Sequence, residues 1–136
     1  MLLNSIVSCM LLISPTIDDI SNYQYCLEKK YMVEYVYEWQ PTIAKYFDNI
    51  DDQIKSLKII YCESKGKPKA VGNNRDGTQD VGLWQFNDDT WAWLTPKLNL
   101  TSNRTNPEVS TAVAAWLIKH DGWHHWNSSK HCWENK

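Results

Sequence analysis

The stretch from Val71 to Phe86 constrains this chain more than any other. It holds Gly72, Asn73, Asn74, Asp76, Gly77 and Gly82, residue types that favour turns and break helices. Such a run supports one short β-hairpin and no large sheet. Helical signals flank it on both sides. Upstream, Asn49 can cap a helix with Asp51 and Asp52 in its first turn, and Ile50, Ile54, Leu57 and Tyr61 recur at helical spacing before Gly66 and Pro68 end it. Downstream, Asp88 or Asp89 can cap a short helix over 90–94 that stops before Pro96, followed by a polar loop from Asn99 to Thr105. Asn106 and Pro107 then open a longer helix, with Val109, Val113 and Trp116 on one face and Asp121-Gly122 at its end. The segment 17–47 reads as one or two aromatic-rich helices broken at Pro41, and the tail from Trp123 to Trp133 as irregular. The expected class is α+β, mainly helical.

The chain has 136 residues, 43% of them hydrophobic, which fits one globular domain with one core. Eight Trp and seven Tyr stand against two Phe. Flat rings with a polar edge suit stacking on the apolar faces of sugars, and core filling is the competing reading. A formal net charge of −2 and the lack of a Lys/Arg stripe exclude nucleic acid as a partner. The same charge provides no long-range steering toward anionic polymers.

Residues from Met1 to Ile13 are apolar and nearly uncharged. The run is shorter than the roughly 20 residues a membrane-spanning helix needs. It fits the apolar region of a secretory signal peptide over residues 1–16, with a buried amino-terminal element as the alternative. Cleavage would remove Cys9 and leave Cys26, Cys62 and Cys132, enough for one internal bridge. The sequons Asn99-Leu100-Thr101, Asn103-Arg104-Thr105 and Asn127-Ser128-Ser129 fit glycosylation in a secretory pathway. A secreted monomer with no stable membrane span is the expectation.

Glu63 falls in the last turn of the helix that Asn49 caps. A carboxyl there faces the negative end of the helix dipole, which disfavours its ionised form. Shielding by aromatic residues would raise its pKa further and let it hold a proton near neutral pH, as a general acid on a glycosidic oxygen must. The neighbouring sequence makes this reading specific. Glu63-Ser64, then Asp76-Gly77-Thr78-Gln79-Asp80-Val81-Gly82 and Gln85-Phe86-Asn87, resembles without a gap the active-site stretch of chicken-type lysozymes, with 17 positions from Glu63 to Asp80. Gly122-Trp123-His124-His125-Trp126 resembles the family's G-x-x-x-W, which implies Trp126 as the wall shielding the acid.

Chicken-type enzymes carry eight cysteines, and this chain has four. Cys62-Glu63-Ser64-Lys65-Gly66, Gly82-Leu83-Trp84-Gln85-Phe86 with Thr90-Trp91, and Gly122-Trp123 with Trp126 and Cys132 resemble resuscitation-promoting factors and soluble lytic transglycosylases instead. The resemblance covers Cys62 to Trp133. It implies a lysozyme-like region over 49–136, forming one domain with a helical region over 17–48, in which the hairpin makes one wall of a substrate cleft. It also implies a Cys62–Cys132 bridge, with a bridge through Cys26 as the alternative.

The implied activity is a glycosidase of the muramidase type, cutting β-1,4 bonds between N-acetylhexosamines of peptidoglycan, with chitin oligomers as a second substrate. Glu63 would be the general acid and Asp80 the second carboxylate; in the other reading Asp80 only braces the turn. Lytic transglycosylases work with the glutamate alone, so that activity is the alternative enzyme, and a non-catalytic sugar-binding module is the alternative outside enzymes. Ser64, Asn74, Trp84, Gln85, Asn87, Trp91 and Trp126 are the candidate substrate contacts, with Trp93 as a further stacking platform. No cofactor is implied. His120 and His124 are four apart, but the helix stop at Gly122 keeps them off one face, so no metal site is expected; the histidines read as solvated or sugar-contacting.

Overall fold

Helix caps decide where the main elements begin. In the computed structural model, which describes residues 34–134, a turn at Tyr37–Trp39 leads into helix α1 (Gln40–Tyr46) and then α2 (Ile50–Ser64). Pro41 opens α1 and does not break it, because its fixed φ suits a first turn where no backbone N–H is needed. The Asn49 side chain accepts the Asp52 N–H at 2.8 Å, as expected for the cap of α2. The stripe that α2 buries differs from the one read in the sequence. Ser56, Ile59, Ile60 and Ser64 face the core, whereas Ile50 is 61% exposed and Ile54 44%. Leu57 and Tyr61 border the core. Lys65 takes left-handed backbone at φ 54° and ends the helix directly after Glu63 and Ser64.

The turn-rich segment forms three short antiparallel strands, one more than a hairpin needs. β1 (Val71–Asn73), β2 (Gln79–Val81) and β3 (Phe86–Asn87) lie in the order β1-β2-β3. Gly72 faces Asp80 in one ladder, and Asp80 faces Asn87 in the other. The Asp76 carboxylate accepts both the Thr78 N–H and its hydroxyl, which closes the β1–β2 turn. Gly82 follows β2 at φ 93°, where a Cβ would lie 2.2 Å from the Arg104 carbonyl oxygen. Only glycine fits there. Arg104 in turn donates to the Phe86 carbonyl at 2.7 Å and pairs with Asp88, so the 99–105 loop clips the sheet in place.

Asn87, and neither aspartate after it, caps α3 (Asp88–Lys97) by accepting the Asp89 N–H. Pro96 lies inside the last turn of this helix, which closes through Leu98 N–H to the Leu94 carbonyl. α4 (Pro107–Asp121) starts at the Asn106 cap and buries Val113, Ala114 and Leu117. The tail is more helical than expected but kinked: a 3-10 segment (Trp123–Ser129) bends at Trp126 and runs into α5 (Lys130–Trp133). Its indoles account for this. Trp126 Nε1 donates to the Trp84 carbonyl at 2.9 Å, and Trp133 Nε1 donates to the Trp126 carbonyl at 3.1 Å. The mainly helical α+β class is as expected. Among the described residues no helix is long and apolar enough to cross a membrane. The signal-peptide expectation, Cys9 and Cys26 lie outside the described residues.

Cys62 and Cys132 are bridged across 70 positions, joining the end of α2 to α5. Closing a loop of that length stabilises the fold by about 4 kcal/mol in the chain-entropy view. The Cys132→Ser variant should therefore unfold at clearly lower urea concentration than the wild type, by about 2–5 kcal/mol. An unchanged midpoint would show that the tail docks without the bridge.

Candidate active site

One cleft holds both carboxyls singled out in the sequence. Glu63, at the end of α2, and Asp80, in the middle of β2, line it together with Gln85, Asn87, His125 and Trp126. Helix end, sheet and tail thus each contribute a wall.

Glu63 is set by the tail. The Ser129 hydroxyl donates to Glu63 Oε1 at 2.5 Å, and it also lies 3.2 Å from the Trp126 carbonyl. A hydroxyl has one proton and two lone pairs, so this one can serve both states of the acid. With Glu63 ionised it donates to Oε1; with Oε1 protonated it accepts and donates instead to Trp126. Burial raises the Glu63 pKa above the ordinary 4.5, the Ser129 hydrogen bond pulls it down, and the Asp80 charge pushes it up. Burial is the largest of the three.

Asp80 is held from its neighbour strand. Asn87 Nδ2 donates to Asp80 Oδ1 and to the Thr78 hydroxyl, both at 2.9 Å. Gln85, at φ 50°, spends its amide nitrogen on the Ala70 and Gly82 carbonyls at 3.0 and 2.9 Å, bracing the loop that the sheet and cleft share.

The other expected contacts separate. Trp126 lines the cleft at 4% exposure, its ring fixed edge-on to Trp84. Trp84 borders the cleft, but it is fully buried and donates to Thr111 Oγ1, so its ring belongs to the core and offers no stacking face. Ser64 is also buried, its hydroxyl between the Ile60 and Leu83 carbonyls, where it joins α2 to the loop after β2. Trp91 packs against Phe86, and Trp93 is half exposed under Lys97; neither lines the cleft. Asn74 serves the β1–β2 turn through Thr78. Asn99, Asn103 and Asn127 are all exposed. His120 stacks on Trp116 and reaches its carbonyl, away from His124, so the two do not converge.

Ser129 and Arg104 went unassigned in the sequence, and His125, read there only as solvated or sugar-contacting, lines the cleft. Ser129 and Arg104 stand inside sequons, and their contacts span 66 positions to Glu63 and 16 to Asp88, so no local pattern exposes them.

A half-buried carboxyl sharing a cleft with an indole and with a second carboxylate on a short antiparallel sheet is the arrangement of a lysozyme-like domain that acts on glycan strands. The family described as Transglycosylase SLT domain matches residues 45–126, and the chain belongs to it. That membership makes peptidoglycan its substrate class. The match takes in Glu63, Asp80 and Trp126 and stops short of Ser129 and Cys132. No curated protein and no solved structure matches the chain.

The buried acid has a consequence for stability. Below the ordinary carboxylate pKa, Glu63 is protonated in folded and unfolded chains alike. As pH rises toward the raised folded value the unfolded chain ionises first, and stability is lost. Glu63→Gln should therefore melt a few degrees above the wild type at about pH 8, with the gap closing toward about pH 4. A gap that does not change with pH would contradict the raised pKa.

Proposed function

We propose that this chain hydrolyses the β-1,4 bonds between N-acetylhexosamines of peptidoglycan, with Glu63 as general acid and Asp80 as the second carboxylate. The observation that carries this reading is Asp80 in the cleft of Glu63, with one oxygen held by Asn87. Glu63 gives its proton to the bridging oxygen as the bond to the anomeric carbon breaks. Asp80 faces the positive charge that develops there. Water then adds to the anomeric carbon and its proton returns to Glu63. Burial in the cleft that Trp126 helps to line raises the Glu63 pKa and so favours the protonated acid before the step.

Work outside the cell fits the Cys62–Cys132 bridge, which persists in oxidising compartments, and the three exposed sequon asparagines. Membership of a transglycosylase family favours a second reading: the sugar's own 6-hydroxyl attacks in place of water and leaves an anhydro end.

Mass spectrometry of peptidoglycan digests separates the two. Hydrolysis predicts reducing ends, and a loss of roughly 100- to 10,000-fold in rate for both Glu63→Gln and Asp80→Asn. Anhydro ends, with Asp80→Asn near wild-type rate, would establish the transglycosylase instead. Wall lysis undiminished in Glu63→Gln would end the enzyme reading.

Ser129 adds a pH signature. Its hydrogen bond favours the ionised acid, so Ser129→Ala should move the alkaline limb of the pH–rate profile upward. Because that variant also deletes the Asn127 sequon, Asn127→Gln is the control that should leave the limb in place. An unmoved limb in Ser129→Ala would remove Ser129 from the tuning of the acid.

A further inference from the structure

The rim of the cleft carries a second cluster with its own chemistry. α4 ends at Asp121, and Gly122, at φ 87°, turns the chain so that the following 3-10 segment folds back over the helix end. His124 and His125 thereby meet the residue that closes α4. Asp121 Oδ2 lies 2.7 Å from His125 Nε2 and 3.4 Å from His124 Nε2, and the two rings are 4.3 Å apart. One ligand atom from each residue falls within 4.8 Å of the others.

We propose that Asp121, His124 and His125 bind one divalent transition-metal ion of the zinc class. The donor set is two imidazole nitrogens and one carboxylate oxygen, the mixture that zinc takes and that calcium or magnesium, which prefer oxygen alone, do not. Ligands about 2.0–2.1 Å from a tetrahedral ion stand about 3.3 Å from one another. The two separations from Asp121 bracket that value, and the two histidine donors stand within 4.8 Å of each other. The electrostatics agree. Asp121 puts a carboxylate at the negative end of the α4 dipole, where a cation is favoured and a lone anion is not. Three protein ligands leave a fourth position open to water or to an oxygen of a bound glycan. The position matters because the His125 side chain, 25% exposed, also lines the cleft of Glu63 and Asp80. The ion therefore sits beside the glycan path. His120 takes no part, since its ring is stacked on Trp116.

Equilibrium dialysis of the full chain, bridge intact and free of any polyhistidine tag, against zinc chloride tests this without any glycan. One equivalent should bind saturably, with Asp121→Asn and His125→Gln each weakening it at least about tenfold and His120→Gln and His131→Gln leaving it unchanged. The wild type should also melt higher with zinc and not with magnesium, a shift that His125→Gln abolishes. Absence of saturable binding overturns the proposal, as does binding that His131→Gln reduces as much as His125→Gln. Both results read the metal directly, so they stand whether or not the chain proves to be a hydrolase.

Discussion

The hydrogen bond from the Trp126 indole to the Trp84 carbonyl carries more of this structure than its 2.9 Å suggests. It docks the tail, whose Trp126 and Trp133 enter the core, against the loop that follows β2. Trp126 then presents its own carbonyl to Trp133 and to Ser129, and α5 is close enough for Cys132 to reach Cys62. Bridge and indole together hold the tail over the end of α2. Without them Glu63 would be a solvated carboxyl at a helix terminus, and neither its wall nor its hydrogen-bond partner would exist.

The environment of Glu63 is a balance of opposed effects. Burial and the charge of Asp80 favour the protonated acid, and the Ser129 hydroxyl favours the carboxylate. An acid must both hold a proton and part with it, and a partner that can donate or accept suits each state without moving. That partner lies in the tail, beyond residues 45–126 that the SLT family matches.

How much of this was legible in the sequence follows from distance along the chain. Glu63 and Asp80 stand 17 positions apart in one ungapped stretch, so their pairing could be read directly. The caps at Asn49 and Asn106 are local too, and both formed as expected. What escaped were contacts between distant segments: Ser129 on Glu63, Arg104 on the sheet, His125 on Asp121 and in the cleft. Trp84 and Ser64 escaped for another reason. Aromatic content and adjacency to the acid say nothing about which way a side chain points, and both point into the core. Pro41 and Pro96 show that proline marks helix ends only by probability: one opens α1, the other sits in a last turn.

Asn87 narrows what this site can become. Its carbonyl oxygen caps α3 while its amide nitrogen donates to Asp80 and Thr78. Aspartate would cap α3 as well but would set a second carboxylate against Asp80 and offer no donor. Serine would cap the helix, yet its single short hydroxyl cannot also hold the carboxylate across the strand. Only an amide meets both demands, so the chain cannot drift at position 87 by way of an ordinary helix-capping residue. The second carboxylate is protected from loss of its support by a helix whose own start depends on the same atoms.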